Sequence, residues 1–315
     1  MTDEVDWLLG GDVAIQFQAH RDLLGAERPD LQARIATEGW GARLLAARRS
    51  DGDWGDKYYF PKWRCTHYTL CELRRLALPR DNPLAQESVA LALARHRSPD
   101  GGLAPWGSDR SDTCVNGMFL NIAAWFRAPE QELRSVVDCL LDDRMADGGF
   151  NCRRRGSGAR HSSMHSTISV LEGIQTWIDA GYSYRTEALK EAAGACREFL
   201  LEHHLFRSHR TGAIIHPHFL RLSYPPRWRY DILRALDHFR AAGVSDPRLA
   251  DALEVLRGKR RPDGRWPMQA KHPGAVHFVM EKAGGPGRWN TLRALRVLHP
   301  QERVQLGLDS SQESR

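Results

Sequence analysis

Four Asp-Gly turns recur along this chain, and each precedes a polar stretch and then an apolar helical segment. The turns begin at Ser50, Ser98, Ala146 and Arg261. Gly tolerates the positive φ that such turns often need, so each Asp-Gly pair ends the helical pattern before it. Repetition at this interval is typical of arrays of helical hairpins, in which each repeat buries its apolar face against its neighbours.

The apolar segments align with one another on a leucine in their seventh position. They begin 47 to 65 residues apart, at His67, Cys114, His165, Tyr230 and Trp289. These segments are apolar around most of their circumference, which predicts helices that are buried on nearly all sides. A segment that starts at Val13 has the same character and provides a sixth buried helix.

A second set of helical segments alternates with the first, and each member carries charge on one face. These segments begin at Leu31, Leu84, Glu130, Thr186 and Pro247. No alternation of period two is long enough to predict a sheet. The patterns therefore predict an all-α fold, a closed ring of about six helical hairpins with inner helices lining a central cavity. An open helical solenoid is the alternative.

The composition is compatible with one large domain. The chain has 315 residues, of which 42% are hydrophobic, and we expect a single domain over 1–315 with a core at about 13–298 and a polar tail at 299–315. No apolar run approaches the roughly 18 residues of a membrane span, and the N-terminus lacks the pattern of a signal peptide. We therefore expect a cytoplasmic protein, and the six scattered cysteines favour reduced thiols over disulfides.

The net charge of +6 raises the question of a nucleic-acid partner. Zinc-finger spacing, an aromatic RNA-binding signature and a long basic tail are all missing from the sequence, so nucleic acid is not the expected ligand. Anionic small molecules or phosphate groups fit the charge at least as well. The arginines that could receive such a group are Arg110, Arg153, Arg154, Arg155 and Arg160.

The Asp-Gly-Gly-aromatic turns and the Thr- or His-led inner helices resemble the prenyltransferase and squalene-cyclase repeat. This family forms the α/α toroid shared by terpene cyclases and the β subunits of protein prenyltransferases, and the resemblance extends from about Val13 to Leu298. It implies an α/α toroid. The Asp-x-Asp-Asp acid of squalene-type cyclases does not occur here, and the acidic run at 142–147 has the spacing of a helix end rather than of a magnesium-diphosphate motif.

The resemblance also implies a zinc site. The β subunits of protein prenyltransferases hold zinc with Asp-x-Cys at one inner-helix start and His at another, and Asp112, Cys114 and His165 match that arrangement. Zinc accepts carboxylate, thiolate and imidazole together, and three protein ligands leave a fourth position open. The alternative is that Asp112 caps a helix and Cys114 is a small buried residue.

Other residues at the same helix starts are predicted to border this site. His67 would be a fourth ligand or an acid/base group, and His161 would orient His165 or contact the ligand. His216 and His218 form a His-x-His pair that we interpret as part of a loop. The predicted substrate-binding residues are Trp63, Cys65, Arg160, Ser163, Trp228, Tyr230 and Trp289.

The leading functional hypothesis is a zinc-dependent enzyme that acts on a small, partly apolar substrate, such as an isoprenoid or a thiol. Zinc (Zn2+) would lower the pKa of a bound thiol or water and present the anion as the nucleophile. A metal-free terpenoid cyclase is the second hypothesis. A toroid that binds a lipid-like or peptide ligand without chemistry is the third.

Cys114→Ser tests the zinc hypothesis. Serine offers a much less acidic donor than cysteine, so we expect this variant and His165→Ala to lose most of the bound zinc while the helical fold survives. Cys139→Ser, on a segment predicted to be an outer helix, should retain the metal. Elemental analysis of protein purified without a metal-binding tag measures the outcome, and full zinc in both variants would leave helix capping as the better account.

Overall fold

The structure is a computed structural model that describes residues 2–105 and 107–305, without the side chains of 155, 156 and 299–305. The described residues form fourteen α-helices and two short 3-10 helices, and no β-strand occurs among them. Isolated bridges such as that between Arg97 and Leu103 connect turns. None of the described helices has the uninterrupted apolar length that crossing a bilayer requires.

Six helices form the inner ring. Burial distinguishes them, since eleven of the 13 residues of the third inner helix are buried, whereas only five of 13 are buried in the outer helix that follows it. Five were predicted from the aligned apolar segments, and the sixth was predicted from the segment that starts at Val13. The inner helices are α2 (Val13–Leu23), α5 (Thr66–Arg75), α7 (Thr113–Trp125), α10 (Met164–Asp179), α12 (Ile232–Ala241) and α14 (Arg288–Gln305).

The other helices surround this ring or connect its members. The outer helices are α4 (Gly39–Ala46), α6 (Pro83–His96), α8 (Glu130–Asp142), α11 (Thr186–Glu202) and α13 (Ala250–Gly258). The remaining elements are α1 (Asp3–Leu9), α3 (Pro29–Arg34), α9 (Arg154–Ser157) and the 3-10 helices Pro217–Leu220 and Pro247–Leu249.

The ring closes between its last and first inner helices. Each inner helix packs against the next from α5 to α14, and α14 packs against α2. Arg296 of α14 donates hydrogen bonds to Asp22 (3.0 Å) and Gln18 (3.4 Å) of α2, and Gln18 donates to the backbone carbonyl of Arg75 at the end of α5 (2.8 Å). The predicted α/α toroid is therefore confirmed, and the open solenoid is excluded.

Each Asp-Gly turn is tied to the inner helix that follows it. The glycines adopt positive φ, from +78° at Gly264 to +90° at Gly148. The second residue after each glycine is fully buried, and its backbone N–H donates to a polar side chain of the next inner helix. These bonds run from Trp54 to Thr66, from Leu103 to Asn116, from Phe150 to Thr167 and from Trp266 to Thr291, at 2.8–3.1 Å.

The structure differs from the sequence prediction at both ends of the chain. The segment predicted as one outer helix from Leu31 is divided into α3 and α4, because Gly39 adopts a φ of +61° that a continuous helix does not contain. Helix α1 packs on α2 and α14 ahead of the expected core. Helix α14 continues to Gln305, beyond the predicted start of the tail, and 306–315 lie outside the described residues.

Helices α7 and α10 make the closest approach in the ring, and glycine permits it. A Cβ added at Gly117 would lie 2.7 Å from the Cα of Val170, and one added at Gly173 would lie 2.4 Å from the carbonyl oxygen of Gly117. Because both obstacles are backbone atoms, neither can move without separating the two helices.

Gly117→Ala should therefore destabilise the protein by about 1–3 kcal/mol, the usual cost of overpacking a core. Gly194→Ala is the matched control, since Gly194 lies in outer helix α11 with no other atom within 4 Å of an added Cβ. That substitution should stabilise the protein by about 0.5–1 kcal/mol through helix propensity. Urea unfolding monitored by circular dichroism measures both, and equal effects would contradict the close packing.

Candidate functional site

The segments that lead into the inner helices contact one another at one rim of the ring. Trp63, ahead of α5, donates from its indole nitrogen to the carbonyls of His272 (3.1 Å) and Pro273 (2.9 Å), which lie ahead of α14. Tyr230, ahead of α12, donates from its backbone N–H to Nδ1 of His165 at the start of α10 (2.8 Å). These contacts join the starts of four inner helices in two pairs, α5 with α14 and α10 with α12.

Two adjoining concavities at this rim form what we call the rim groove. Both are lined by His165, Ile215 and Phe219, and their volumes are about 690 and 930 Å³. The connection from α11 to α12 borders both concavities, and the connection from α13 to α14 borders the first. His165 lies where the two concavities meet.

His165 is held as a neutral hydrogen-bond donor. Its Nδ1 accepts the hydrogen bond from Tyr230, so the proton of the neutral ring is on Nε2. The ring also packs edge-on against Trp228 and Phe219, with centroids 5.0 and 5.5 Å away. Burial lowers the pKa of His165 to about 4, and the charges of Arg234 and Arg229 act in the same direction.

The groove is strongly basic in composition. Among the described residues, two carboxylates line it, Asp147 and Glu202. Asp147 already accepts a hydrogen bond from the backbone N–H of Ser162 (2.8 Å). The basic and imidazole side chains that line the groove are Arg210, Arg221, Arg229, Lys271, His161, His165, His203, His209, His216, His218 and His272. This excess of donors and positive charge favours an anionic ligand.

His272 is a second neutral imidazole on the groove wall. Burial, followed by the charges of Arg229 and Arg227, lowers its pKa to about 4. Its Nε2 is buried and has no hydrogen-bond partner among the described residues. His272 therefore lines the groove with this nitrogen buried in the groove wall.

Asp112 and Cys114 do not join His165 in a metal-like group. Asp112 is the N-cap residue of α7, although its side chain makes no capping hydrogen bond. No cluster of three or more His, Cys, Asp or Glu side chains arranged to hold a metal occurs in the described part of the chain. A metal ion bound to Nε2 of His165 would also need a free lone pair on this nitrogen. In the neutral ring described above, Nε2 carries the proton instead. That these residues bind zinc stays a prediction.

Cys114 instead pairs with Cys152, which the sequence analysis did not select. Its backbone N–H donates to the sulfur of Cys152 (3.0 Å), and the hydroxyl of Ser166 lies 3.2 Å from the same sulfur. The hydrogen bond between the two thiols lowers the pKa of Cys152 and raises that of Cys114. Cys152 is thus the more acidic thiol of the pair.

His67 and Cys65 lie below the rim rather than on it. His67 is fully buried, its Nδ1 lies 3.1 Å from the hydroxyl of Tyr58, and the rings of Tyr59 and Tyr68 pack around it. Burial lowers its pKa to about 3. Cys65 is also fully buried, and burial raises its pKa to about 12. Neither side chain lines the groove.

The other predicted substrate residues are divided among several places. His161 and Ser163 line the groove, as does Tyr230, whose hydroxyl donates to the carbonyl of Leu205 (2.6 Å). Trp228 reaches the groove through its contact with His165. Arg160 is exposed outside the groove lining, and Trp63 is buried. Trp289 stacks on Tyr224 with centroids 4.6 Å apart, away from the groove.

The acidic run at 142–147 has a structural role, as predicted. Helix α8 ends at Asp142, and the buried Asp143 accepts a hydrogen bond from Thr113 (2.7 Å) at the start of α7. Of the predicted basic cluster, the side chain of Arg155 lies outside the described residues. Nη1 of Arg154 lies 3.7 Å from a carboxylate oxygen of Asp143, so part of the positive charge of Arg154 is compensated within the fold.

His272, Arg229 and Lys271 were missed because they lie in connections without a helical pattern. One signal for them was present in the spacing of the inner segments. The intervals before Tyr230 and Trp289 are longer than the others, and the additional residues form the two connections that border the groove.

Comparison with known proteins supports the fold. No family model and no curated protein matches the sequence. Among solved structures, a polysaccharide lyase is 11% identical with a TM-score of 0.54, over 99% of this chain and 92% of that one. The type II terpene cyclase MstE from Scytonema is 12% identical with a TM-score of 0.35, over 85% and 96%. The likeness to the lyase shows a shared fold.

The neutral state of His165 predicts a pH dependence of stability. Its native pKa of about 4 lies below the unfolded value of about 6.5, so between these values the unfolded chain binds the additional proton. The free energy of unfolding should therefore fall as the pH falls through this window. His165→Gln should reduce the loss between pH 7.5 and 5 by about 1–2 kcal/mol, measured by urea unfolding.

His161→Gln provides the control for this measurement, because His161 is exposed in the same groove. It should leave the pH profile unchanged. A His165→Gln profile parallel to that of the parent protein would contradict a neutral, hydrogen-bonded His165.

Proposed function

We propose that this chain is an enzyme that cleaves an anionic polysaccharide bound in the rim groove. The observation that carries the proposal is the lining of the groove, in which seven histidines and four Arg or Lys side chains face two carboxylates. A ligand with repeated negative charge would satisfy several of these groups at once. Uronic-acid polymers carry one carboxylate per acidic sugar and fit this requirement.

The shape of the groove supports a chain-like ligand. Its two concavities adjoin at His165, so neighbouring sugars of one polymer could occupy both sides of this residue. Ile214 and Ile215 are 47% and 41% exposed, which is unusual for side chains of this size and offers apolar surface to the faces of sugar rings.

The residues near His165 can carry out a β-elimination. In this reaction a cationic group neutralises the uronate carboxylate, a base removes the proton on the adjacent carbon, and the bond to the leaving glycosidic oxygen breaks as a C=C bond forms. Arg229 or Lys271 would neutralise the carboxylate, and His272 or His216 would accept the proton. The Nε2–H of His165 would donate a hydrogen bond to the leaving oxygen or to the carboxylate. The protonated base would then give its proton to the leaving oxygen.

The fold provides further support for this proposal. The polysaccharide lyase shares the toroid over almost the full length of both chains, so a fold of this size and connectivity can support polysaccharide cleavage. At 11% identity this likeness assigns no residue. The roles given above rest on the groove of this chain alone.

The zinc-dependent reaction is the second candidate. Asp112 lies close enough for its charge to act on both thiols of the pair, and two thiols beside a carboxylate are donors that zinc prefers. In this form the zinc ligands would be Asp112, Cys114 and Cys152, which would have to move together on binding because no described group of side chains is arranged to hold a metal. His165 would keep its bond to Tyr230 and take no part. The metal analysis of Cys114→Ser and His165→Ala distinguishes the two ligand sets.

The interior of the ring does not favour the terpenoid-cyclase hypothesis. Cyclases stabilise carbocations with apolar and aromatic walls. The cavity between the inner helices is instead lined by seven arginines, whose charge opposes that of a carbocation. A lipid-like ligand is disfavoured there for the same reason, because guanidinium groups lose hydration without gaining a partner.

Incubation with polyuronic acids tests the proposed function. We expect a rise in ultraviolet absorbance from the unsaturated sugar at each new chain end, and no rise with a neutral glucan. His165→Ala and Arg229→Ala should each reduce the rate by about 10²-fold or more, since each removes a group that stabilises the reacting charge. His20→Ala, on α2 and outside the groove, should retain the full rate.

New reducing ends without the ultraviolet signal would indicate hydrolysis at the same groove. Binding of polyuronate without any cleavage would favour the non-catalytic toroid. Equal loss of activity in His20→Ala and His165→Ala would remove the groove from the reaction.

A further inference from the structure

The ring contains a second, separate cavity between its inner helices, which we call the central cavity. Its volume is about 220 Å³, far above the roughly 10–15 Å³ that one water molecule requires. All six inner helices contribute side chains to its wall. Ser223 lines the rim groove and the adjacent Tyr224 lines the central cavity, so the two spaces are separated by the chain at this point.

Positive charge dominates the wall of the central cavity. Seven arginines line it against three carboxylates, Glu172, Asp179 and Asp237. The arginines are Arg21, Arg74, Arg75, Arg234, Arg240, Arg293 and Arg296. Asp22 lies behind this wall and adds a fourth carboxylate through its ion pairs with Arg21 (2.6 Å) and Arg296 (3.0 Å). Seven arginines against four carboxylates leave an excess of three positive charges in this group.

The three carboxylates of the wall already accept hydrogen bonds from side chains of the same wall. Glu172 accepts two hydrogen bonds from Arg234, both 2.7 Å long. Asp237 accepts two from Arg296, one of them 2.6 Å long, and one from Arg293 (3.5 Å). Asp179 accepts from Gln175 (2.8 Å). Arg74 forms no ion pair among the described residues, and burial lowers its pKa to about 10.

Several buried polar atoms of the cavity wall lack a hydrogen-bond partner. Tyr224, His238, Trp289 and Arg293 are each at least 94% buried, and each has such an atom. With Arg74 and Arg75 they supply six atoms on residues that line the cavity, namely Nε of Arg74, Nη1 of Arg75, Oη of Tyr224, Nε2 of His238, Nε1 of Trp289 and Nη1 of Arg293. Five of these six atoms are donors or hydroxyls, so the residues that line the cavity hold donors for which the described part of the chain supplies no acceptor.

The cavity has a polar mouth. Asp179 is exposed, and Arg21, Gln175 and Arg240 are partly exposed on the same wall, whereas Arg234 and Arg293 are buried. A charged ligand can therefore pass from hydrated side chains to buried ones without crossing an apolar barrier.

We propose that the central cavity binds an oxyanion of the phosphate class, either free or as the head group of a larger molecule. Such an ion accepts hydrogen bonds at every oxygen, and guanidinium groups match its geometry with paired N–H donors. It would satisfy the buried donors of several inner helices together and compensate the excess charge. The volume admits the ion with a few waters but not a polysaccharide, so this site is independent of the rim groove.

Arg74→Gln is the principal test. Arg74 and Arg80 both lie over the ring of Trp125, with centroid distances of 5.4 and 4.5 Å, but only Arg74 lines the cavity. Calorimetric titration with sodium phosphate, at ionic strength held constant with sodium chloride, should show saturable binding of one ion per chain. Arg74→Gln should weaken the affinity at least tenfold, and the matched Arg80→Gln should change it less than twofold.

Tyr224→Phe gives a second test that does not depend on removing a charge. If the buried hydroxyl of Tyr224 has no ligand, phenylalanine should leave phosphate binding unchanged and should not destabilise the protein. If it donates to the ion, the affinity should fall severalfold while circular dichroism and the unliganded melting temperature stay the same. Phosphate should also raise the melting temperature of the parent protein in proportion to the logarithm of its concentration at saturation.

Comparison of inorganic phosphate with glycerol phosphate distinguishes the two sources of the ion. Tighter binding of the ester indicates a head group, and tighter binding of the inorganic ion indicates a free anion. The proposal would be overturned by the absence of saturable binding of either ligand, or by equal affinities in Arg74→Gln, Arg80→Gln and the parent protein. Neither result affects the cleavage assay of the rim groove.

Discussion

The hydrogen bond from each Asp-Gly turn to the next inner helix is the interaction on which the toroid depends. A buried backbone N–H without a partner costs about 1–3 kcal/mol, and in four repeats a Thr or Asn side chain removes this cost. The bond fixes where each inner helix begins relative to the turn before it. The starts of these helices therefore lie at one rim, and the connections between them are free to vary in length and to build a site.

The two longest of these connections give the rim its groove. They precede α12 and α14, and they contribute Arg229, Lys271 and His272 to a wall that also includes His165. His165 belongs to the rigid scaffold through its bond to Tyr230 and its packing on Trp228. A fixed neutral donor surrounded by basic connections is suited to an anionic ligand, and residues on such connections can change without disturbing the ring.

The interior of the ring has a different electrostatic character from that of an apolar cyclase cavity. Arg234 and Glu172 form a buried ion pair, and Arg296 joins Asp237 to Asp22 across three inner helices. Buried pairs of this kind contribute little net stability, because desolvation offsets their attraction. They do fix the relative positions of α2, α10, α12 and α14, and they leave Arg74 and Arg293 directed to the same cavity.

The sequence by itself determined the architecture, because Asp-Gly turns and apolar periodicity are local signals that record which face each helix buries. All six inner helices and the ring were predictable on this basis, and so was the place of His165 at a helix start. The sequence did not determine which helix starts meet. Cys114 contacts Cys152 rather than His165, and His67 lies beneath tyrosines, because these distances depend on packing between repeats. The gathering of seven arginines around one cavity was likewise decided only by the tertiary structure, since they come from four inner helices whose relative orientation the sequence does not give.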